Sequence, residues 1–240
     1  VAIALAGADD VSFSDSGSLV TIDGTKVNLS ANNRNWNLQA PSRQIQVDGV
    51  SLSTGNYTLN AGNTLKLNGN ILTNGGNIYL TGSGSGIVLM KTARIDSNAD
   101  DLANSASTGN AGSIQLSGNL SGSASGYALT VDTASSTTNG NNLQIYSSTG
   151  NAGGAYLSGL SMTAKGSTNT NDGTLYLYGN YLLNGNFSST GNSYLYNSYM
   201  TIDTEQGNTA NGGNISFSGY NLYSVYGGSK HTFNTATPAK

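Results

Sequence analysis

Asn151-Ala152-Gly153-Gly154-Ala155-Tyr156-Leu157 opens the stretch, residues 151–222, whose reading decides the fold. The openings Asn171-Asp172-Gly173-Thr174, Gly191-Asn192-Ser193-Tyr194 and Asn211-Gly212-Gly213-Asn214 follow it at intervals of 20 residues. Each runs into a short alternation, as in Leu175-Tyr176-Leu177-Tyr178. A period of two places both leucines on one face of a strand and both tyrosines on the other. Self-similarity at a fixed interval marks a solenoid, in which each unit buries its apolar side only against its neighbours. Stepping by 20 predicts inward columns Ala155/Leu175/Leu195/Ile215, Leu157/Leu177/Asn197/Phe217 and Met162/Leu182/Ile202/Leu222. It also predicts an outward column Tyr156/Tyr176/Tyr196/Ser216.

No window carries a sustained helical stripe, and the units lack the run of leucines at fixed offsets that a leucine-rich repeat needs. Short strands parted by Gly and Asn turns predict an all-β chain, a right-handed parallel β-helix (β-solenoid) of about 20 residues per coil. Gly and Asn supply the left-handed backbone that its tight turns require. The pattern extends upstream through Ile45–Val47, Tyr57–Leu59, Leu65–Leu67, Ile78–Leu80 and Ile87–Leu89. It lapses over residues 92–108 and 133–142, which read as loops ejected from one side of the solenoid. Arg94–Asp96, Val131–Thr133 and Ile202–Thr204 each lead a strand into a polar loop, as if one corner were reused. About twelve coils rising ~4.8 Å each predict a rod on the order of 55 Å long.

The expected organisation is N-terminal strands with a capping coil over 1–44, β-helix repeats over 45–226, and a tail over 227–240. Trp36 and Leu38 are the expected cap, because the end of a solenoid otherwise exposes apolar residues and backbone edges. Val1–Ala8 is apolar without a basic lead and reads as a first strand or as part of a longer chain.

The 240 residues include 33 Gly, 32 Asn and 14 Tyr, with 21 charged side chains and a formal net charge of −3. So little charge, combined with regular apolar pairs, argues for a folded chain and against disorder. The scattered Lys and Arg form no run able to follow a phosphate backbone, which argues against nucleic acid as a partner. With no cysteine, disulfides and thiolate metal sites are excluded. No stretch approaches transmembrane length.

Two units, Gly109-Asn110-Ala111-Gly112-Ser113-Ile114-Gln115-Leu116-Ser117-Gly118 and Asn211-Gly212-Gly213-Asn214-Ile215-Ser216-Phe217-Ser218-Gly219, carry a resemblance. They are similar to the repeats of filamentous-haemagglutinin-like and autotransporter-type bacterial surface adhesins. The lead-in Met200-Thr201-Ile202-Asp203-Thr204 also resembles those chains, and the similarity covers roughly residues 45–222. The resemblance implies transport across the outer membrane without spanning it, a secreted or cell-surface location, and attachment to cells, matrix or one another.

Chemistry is sparse. His231, the single histidine, lies beside Lys230 with no visible orienting partner for general-base work. No catalytic residue and no cofactor are expected. A β-helical polysaccharide-degrading enzyme would need paired carboxylates on one face, whereas Asp172, Asp203 and Glu205 read as lying on different edges. Asp96, Asn98, Asp100 and Asp101 mimic the start of a calcium loop. The sixth position, however, is Asp101 rather than Gly, and the twelfth is Ser107 rather than Glu. Surfaces remain. Tyr156, Tyr176, Tyr178, Tyr196 and Tyr199 form the candidate ligand or partner surface, since Tyr-rich faces bind with little loss of side-chain entropy. The expected role is a non-enzymatic structural or adhesive segment attaching to cells, matrix protein or glycans. Its alternative is a subunit that self-associates, end to end or side by side, into an extracellular fibre.

Overall fold

The computed structural model describes residues 11–14, 19–24, 36–40, 44–50, 55–99, 110–146, 148–206 and 212–235. Its strands arrive in groups. The first two groups are pairs: β1 (Val11–Ser14) with β2 (Leu19–Gly24), and β3 (Trp36–Ala40) with β4 (Gln44–Val50). Triplets follow, beginning with β5 (Tyr57–Ala61), β6 (Thr64–Leu67) and β7 (Ile71–Leu72). The next are β8 (Ile78–Gly82), β9 (Gly86–Leu89), β10 (Ala93–Asp96), then β11 (Ile114–Ser117), β12 (Leu120–Gly122), β13 (Ala128–Asp132). β14 (Leu143–Ile145) and β15 (Gly159–Thr163) flank Thr149, a bridging residue that stands where the other groups have a second strand. Two more triplets are β16 (Thr174–Leu177), β17 (Tyr181–Leu182), β18 (Asn186–Thr190) and β19 (Asn192–Leu195), β20 (Thr201–Asp203), β21 (Ile215–Ser218). The last group is β22 (Leu222–Ser224) with β23 (Thr232–Asn234).

Pairing runs between groups, and every strand pair is parallel. The leading strands form the first ladder, β1-β3-β5-β8-β11-β14-β16-β19-β22. Second strands form another: β2, β4, β6, β9 and β12, continued through Thr149 into β17, β20 and β23. The third ladder starts where Gly24 pairs with Val50, past a register shift in β2, and takes β7, β10, β13, β15, β18 and β21. Parallel neighbours need a long crossover, and here the strands of the other two ladders supply it, so no helix is required. Among the described residues helix is confined to short turns such as Asn169–Asn171. The architecture is all-β with parallel sheets, consistent with a β-helix or solenoid.

The register differs from a uniform step of 20. Along the first ladder Val11 aligns with Trp36, Tyr57, Ile78, Ile114, Leu143, Leu175, Ser193 and Leu222 in turn. The steps therefore run from 18 residues (Leu175 to Ser193) to 36 (Ile78 to Ile114). The expected columns are corrected accordingly. Leu175 faces Ser193 rather than Leu195, Ile215 faces Phe187 on the third ladder, and Ala155 bridges Gly122. Burial asks only that each strand keep its parity, so connections are free to lengthen. Nine strands in the first ladder, rising ~4.8 Å each, span about 38 Å rather than 55 Å.

Three sets of inward columns meet in one core. The first ladder contributes Leu59, Leu80, Leu116, Ile145 and Leu177, the second Ile45, Leu65, Ile87 and Leu120, the third Ile71, Ile95, Val131 and Met162. All are essentially inaccessible to water.

Buried hydroxyls close the bases of the variable connections. Thr73 Oγ1 donates to the Gly76 carbonyl (2.7 Å), Ser97 Oγ to Gly112 (2.6 Å), Thr133 Oγ1 to Asn141 (2.7 Å) and Thr204 Oγ1 to Gly213 (2.7 Å). Asp96 and Asp132 align, so the loops after β10 and β13 share a corner. Asp203 aligns instead with Leu182 on the second ladder, so the third expected loop leaves from a different corner.

The ladders also reach beyond residues 45–226. β1 to β4 join the same sheets, and Thr232–Asn234, expected in a tail, pairs with β20.

Candidate functional site

The strand sequences of the first ladder contain no Asp, Glu, Lys or Arg. Charges within the strands fall on the other two ladders, at Asp48, Lys66 and Asp203 and at Arg94, Asp96 and Asp132 among them. The outward face of the first ladder is thus a polar but uncharged strip.

At its C-terminal end this strip becomes aromatic. Leu143-Gln144-Ile145-Tyr146, Leu175-Tyr176-Leu177-Tyr178, Ser193-Tyr194-Leu195-Tyr196 and Leu222-Tyr223-Ser224-Val225 align residue for residue. The register continues past the strand ends, because Tyr178 N–H donates to Ile145 O (3.1 Å) and Tyr196 N–H to Leu177 O (2.8 Å). Inward apolar residues hold the strands, and period two turns the tyrosines out as two adjacent columns.

One column is Tyr146, Tyr178 and Tyr196. Tyr146 and Tyr178 stack with ring centroids 4.4 Å apart and planes 24° from parallel. Tyr178 and Tyr196 stack at 4.7 Å and 26°. The other column is Tyr176, Tyr194 and Tyr223, at 5.9 Å and 4.8 Å, with Tyr176 also 5.7 Å from Tyr196. Such contacts add about 0.5–1.5 kcal/mol per pair beyond area burial. The stacked rings cover one another's faces, leaving edges and hydroxyls as the accessible surface. Tyr146 Oη donates to Gln144 Oε1 (2.9 Å). Burial in the stack, together with the neighbouring Tyr146, Tyr196 and Tyr176 phenols, pushes the Tyr178 pKa up to about 12.

Of the five tyrosines expected to form a surface, Tyr176, Tyr178 and Tyr196 come together. Tyr156 lies in the connection between Thr149 and β15, and Tyr199 stands 71% exposed in the turn between β19 and β20. Tyr146, Tyr194 and Tyr223, outside those five, complete the patch. Alignment on Leu-x-Leu/Ile-Tyr, instead of on a fixed interval, would have found Tyr146 and its stack.

Trp36 and Leu38 lie on β3, which runs between β1 and β5, and their side chains fall outside the described residues. Asp100 and Asp101 also fall outside them. Asp96 and Asn98 are buried at the loop base. Asp96 Oδ1 accepts from Asn98 N–H (2.8 Å), and Asn98 Nδ2 donates to Ala134 O (2.9 Å). Arg94 spans two rungs, with Nε 2.8 Å from Asp96 Oδ2 and Nη2 2.6 Å from Asp132 Oδ2. Burial raises the Asp132 pKa, with Asp96 adding to the rise, while the Ala134 N–H and Arg94 oppose it. This is the carboxylate pair on one face that hydrolytic chemistry would call for. Both groups, however, are committed to Arg94 and to backbone N–H donors, which is the chemistry of a structural tie. Among the described residues no group of three or more His, Cys, Asp or Glu side chains is placed to hold a metal.

Asp203 ends β20 and Glu205 follows it, at a different corner from Asp172, which precedes β16. His231 Nε2 lies 3.0 Å from Ser224 Oγ, but its Nδ1 meets no partner among the described residues that would orient the ring. No helix is long and apolar enough to cross a membrane among the described residues.

Comparison with protein-family models, with curated proteins and with solved structures found no match to this chain.

Proposed function

We propose that this chain is a non-enzymatic structural and adhesive segment of a secreted bacterial surface protein. In this reading the three parallel ladders close into a right-handed β-helix whose shortest coils, near 20 residues, carry longer loops at their corners. The uncharged strip of the first ladder is its attachment surface, and the tyrosine patch is the part that grips. What carries the reading is that patch, six tyrosines in two columns on a face without charge. Phenol hydroxyls and ring edges, flanked by Gln144 and Gln115, suit a hydroxyl-rich, uncharged glycan better than an ionic partner. The test is retention on immobilised neutral polysaccharide against a uronic-acid polymer. Neutral polymer is expected to retain the chain, and the triple variant Tyr146→Ala, Tyr178→Ala, Tyr196→Ala is expected to elute early. Equal retention of the variant, or preference for the acidic polymer, overturns the reading.

A second reading rests on a different observation. Leu222 and Phe233 lie on inward columns, aligned with Ser193 and Ile202, yet are 49% and 47% exposed in the last described group. Exposed core-facing side chains support self-association into an extracellular fibre. Electron microscopy at rising concentration decides it: filaments sustain this reading, and discrete particles at every concentration remove it.

A further inference from the structure

We propose that the stacked phenols of Tyr146, Tyr178 and Tyr196 are a site of oxidative tyrosine–tyrosine coupling that ties successive rungs of the fold covalently. The proposal stands on the geometry of the stack and not on what the surrounding face binds.

Three observations carry it. The chain has no cysteine, so a disulfide cannot link its coils. The stack places phenols that are far apart in sequence, 32 residues for Tyr146 and Tyr178 and 18 for Tyr178 and Tyr196, at 4.4 and 4.7 Å between ring centroids. The outer member, Tyr146, is 42% exposed, so a diffusing oxidant reaches the column from its end. A coupled biaryl holds its ring centres at a separation close to that of the stack. Bond formation therefore requires the rings to turn and leaves the strands in place.

The chemistry balances with hydrogen peroxide as oxidant and a haem peroxidase as the agent that delivers it one electron at a time. Each phenol gives up one electron and its hydroxyl proton, leaving a radical whose spin rests partly on the ring carbons ortho to oxygen. Two neighbouring radicals form one carbon–carbon bond between ortho carbons. The hydrogen on each coupled carbon then moves to oxygen, restoring both phenols. Two tyrosines and one peroxide yield one dityrosine and two waters, and the chain loses two hydrogens. Tyr178 is central, because it stacks on both neighbours and takes part in either link. Tyr199 and Tyr220 are more exposed but have no ring partner among the described residues, so within one molecule they are poor coupling partners.

The test treats the full chain, dilute, with limiting peroxide and peroxidase. Dityrosine is read by its fluorescence, and the linked peptides by mass spectrometry. Links Tyr146–Tyr178 and Tyr178–Tyr196 are expected to dominate within the monomer, and the linked chain is expected to unfold at higher denaturant. The variant Tyr178→Phe keeps the ring in the stack but cannot form the phenoxyl radical. Circular dichroism is expected to show it folded, and both links are expected to vanish while coupling of Tyr194 with Tyr223 persists. The proposal is overturned if links instead follow exposure, led by Tyr199 and Tyr220. It is equally overturned if urea-unfolded chain gives the same pair pattern, or if folded Tyr178→Phe gives an unchanged yield.

Discussion

The first ladder has two halves that share an inside and differ outside. In β5, β8 and β11 the inward residues Leu59, Leu80 and Leu116 sit beside outward Thr58, Tyr79 and Gln115. In β16 and β19 the inward Leu177 and Leu195 sit beside outward Tyr176 and Tyr194. The alternation of buried and outward residues is the same in both halves, so the core columns set the fold and leave the outward columns free to carry a surface. Tyrosine gathers in one half only. Nothing about packing requires that, which is why the aromatic half is the part to interrogate.

The largest expected effect is one that should not distinguish the halves. Leu80→Ala and Leu177→Ala each remove a fully buried side chain, and each is expected to cost about 2–5 kcal/mol in urea unfolding. A cost confined to one half would break the view of a continuous core. Next comes the Arg94 tie. Arg94→Gln leaves Asp96 and Asp132 facing each other across rungs, with an expected loss of about 1–2 kcal/mol after allowing for partial exposure of Arg94. Because the folded Asp132 pKa is raised, its contribution to stability is present below its ordinary 3.8 and is lost as pH rises through the raised value. The variant's deficit is therefore expected to be smaller in acid than at neutral pH, and unfolding at two pH values checks this.

Smaller effects separate the halves. Tyr196→Ala removes ring contacts with Tyr178 and Tyr176 and is expected to cost about 1–2 kcal/mol, while Thr58→Ala stays within about 0.5 kcal/mol. Urea unfolding of the two variants sharpens the contrast if Tyr196 proves the costlier loss. Smallest is a pH effect. With its folded pKa near 12 against an ordinary 10.0, Tyr178 ionises more readily in the unfolded chain. Its contribution, present below 10.0, is lost as pH rises toward 12, and ultraviolet titration of tyrosinate is expected to lose this late component in Tyr178→Phe.

Much of the fold was legible because alternation is local. The period-two strands around Leu65, Ile78, Ile114 and Leu175 are in the structure as strands, and their parallel pairing follows from repetition. The register was not legible from a fixed interval. Ile78 reaches Ile114 across 36 residues because Ser97 closes the intervening loop, and a hydroxyl at a loop base leaves no periodic mark. The candidate surface suffered from the same cause. Counting by 20 put Tyr156 in line with Tyr176, whereas the step from Leu143 to Leu175 is 32 and places Gln144 opposite Tyr176 and Tyr146 beneath Tyr178.

The hydroxyl bonds at the loop bases have a consequence for how such a chain can change. Ser97 donates to the carbonyl of Gly112, and the sheet beyond each of them is already committed to its neighbours. Asn98 and Ala99 on one side and Ala111 on the other are held by neighbouring rungs, so lengthening the connection past them adds the entropy of closing a loop, about 0.6 kcal/mol for each doubling of length. The corner after β10 therefore works as a socket. Foreign sequence spliced after Ala99 and before Ala111 would be displayed from the side of the ladders without passing through their register.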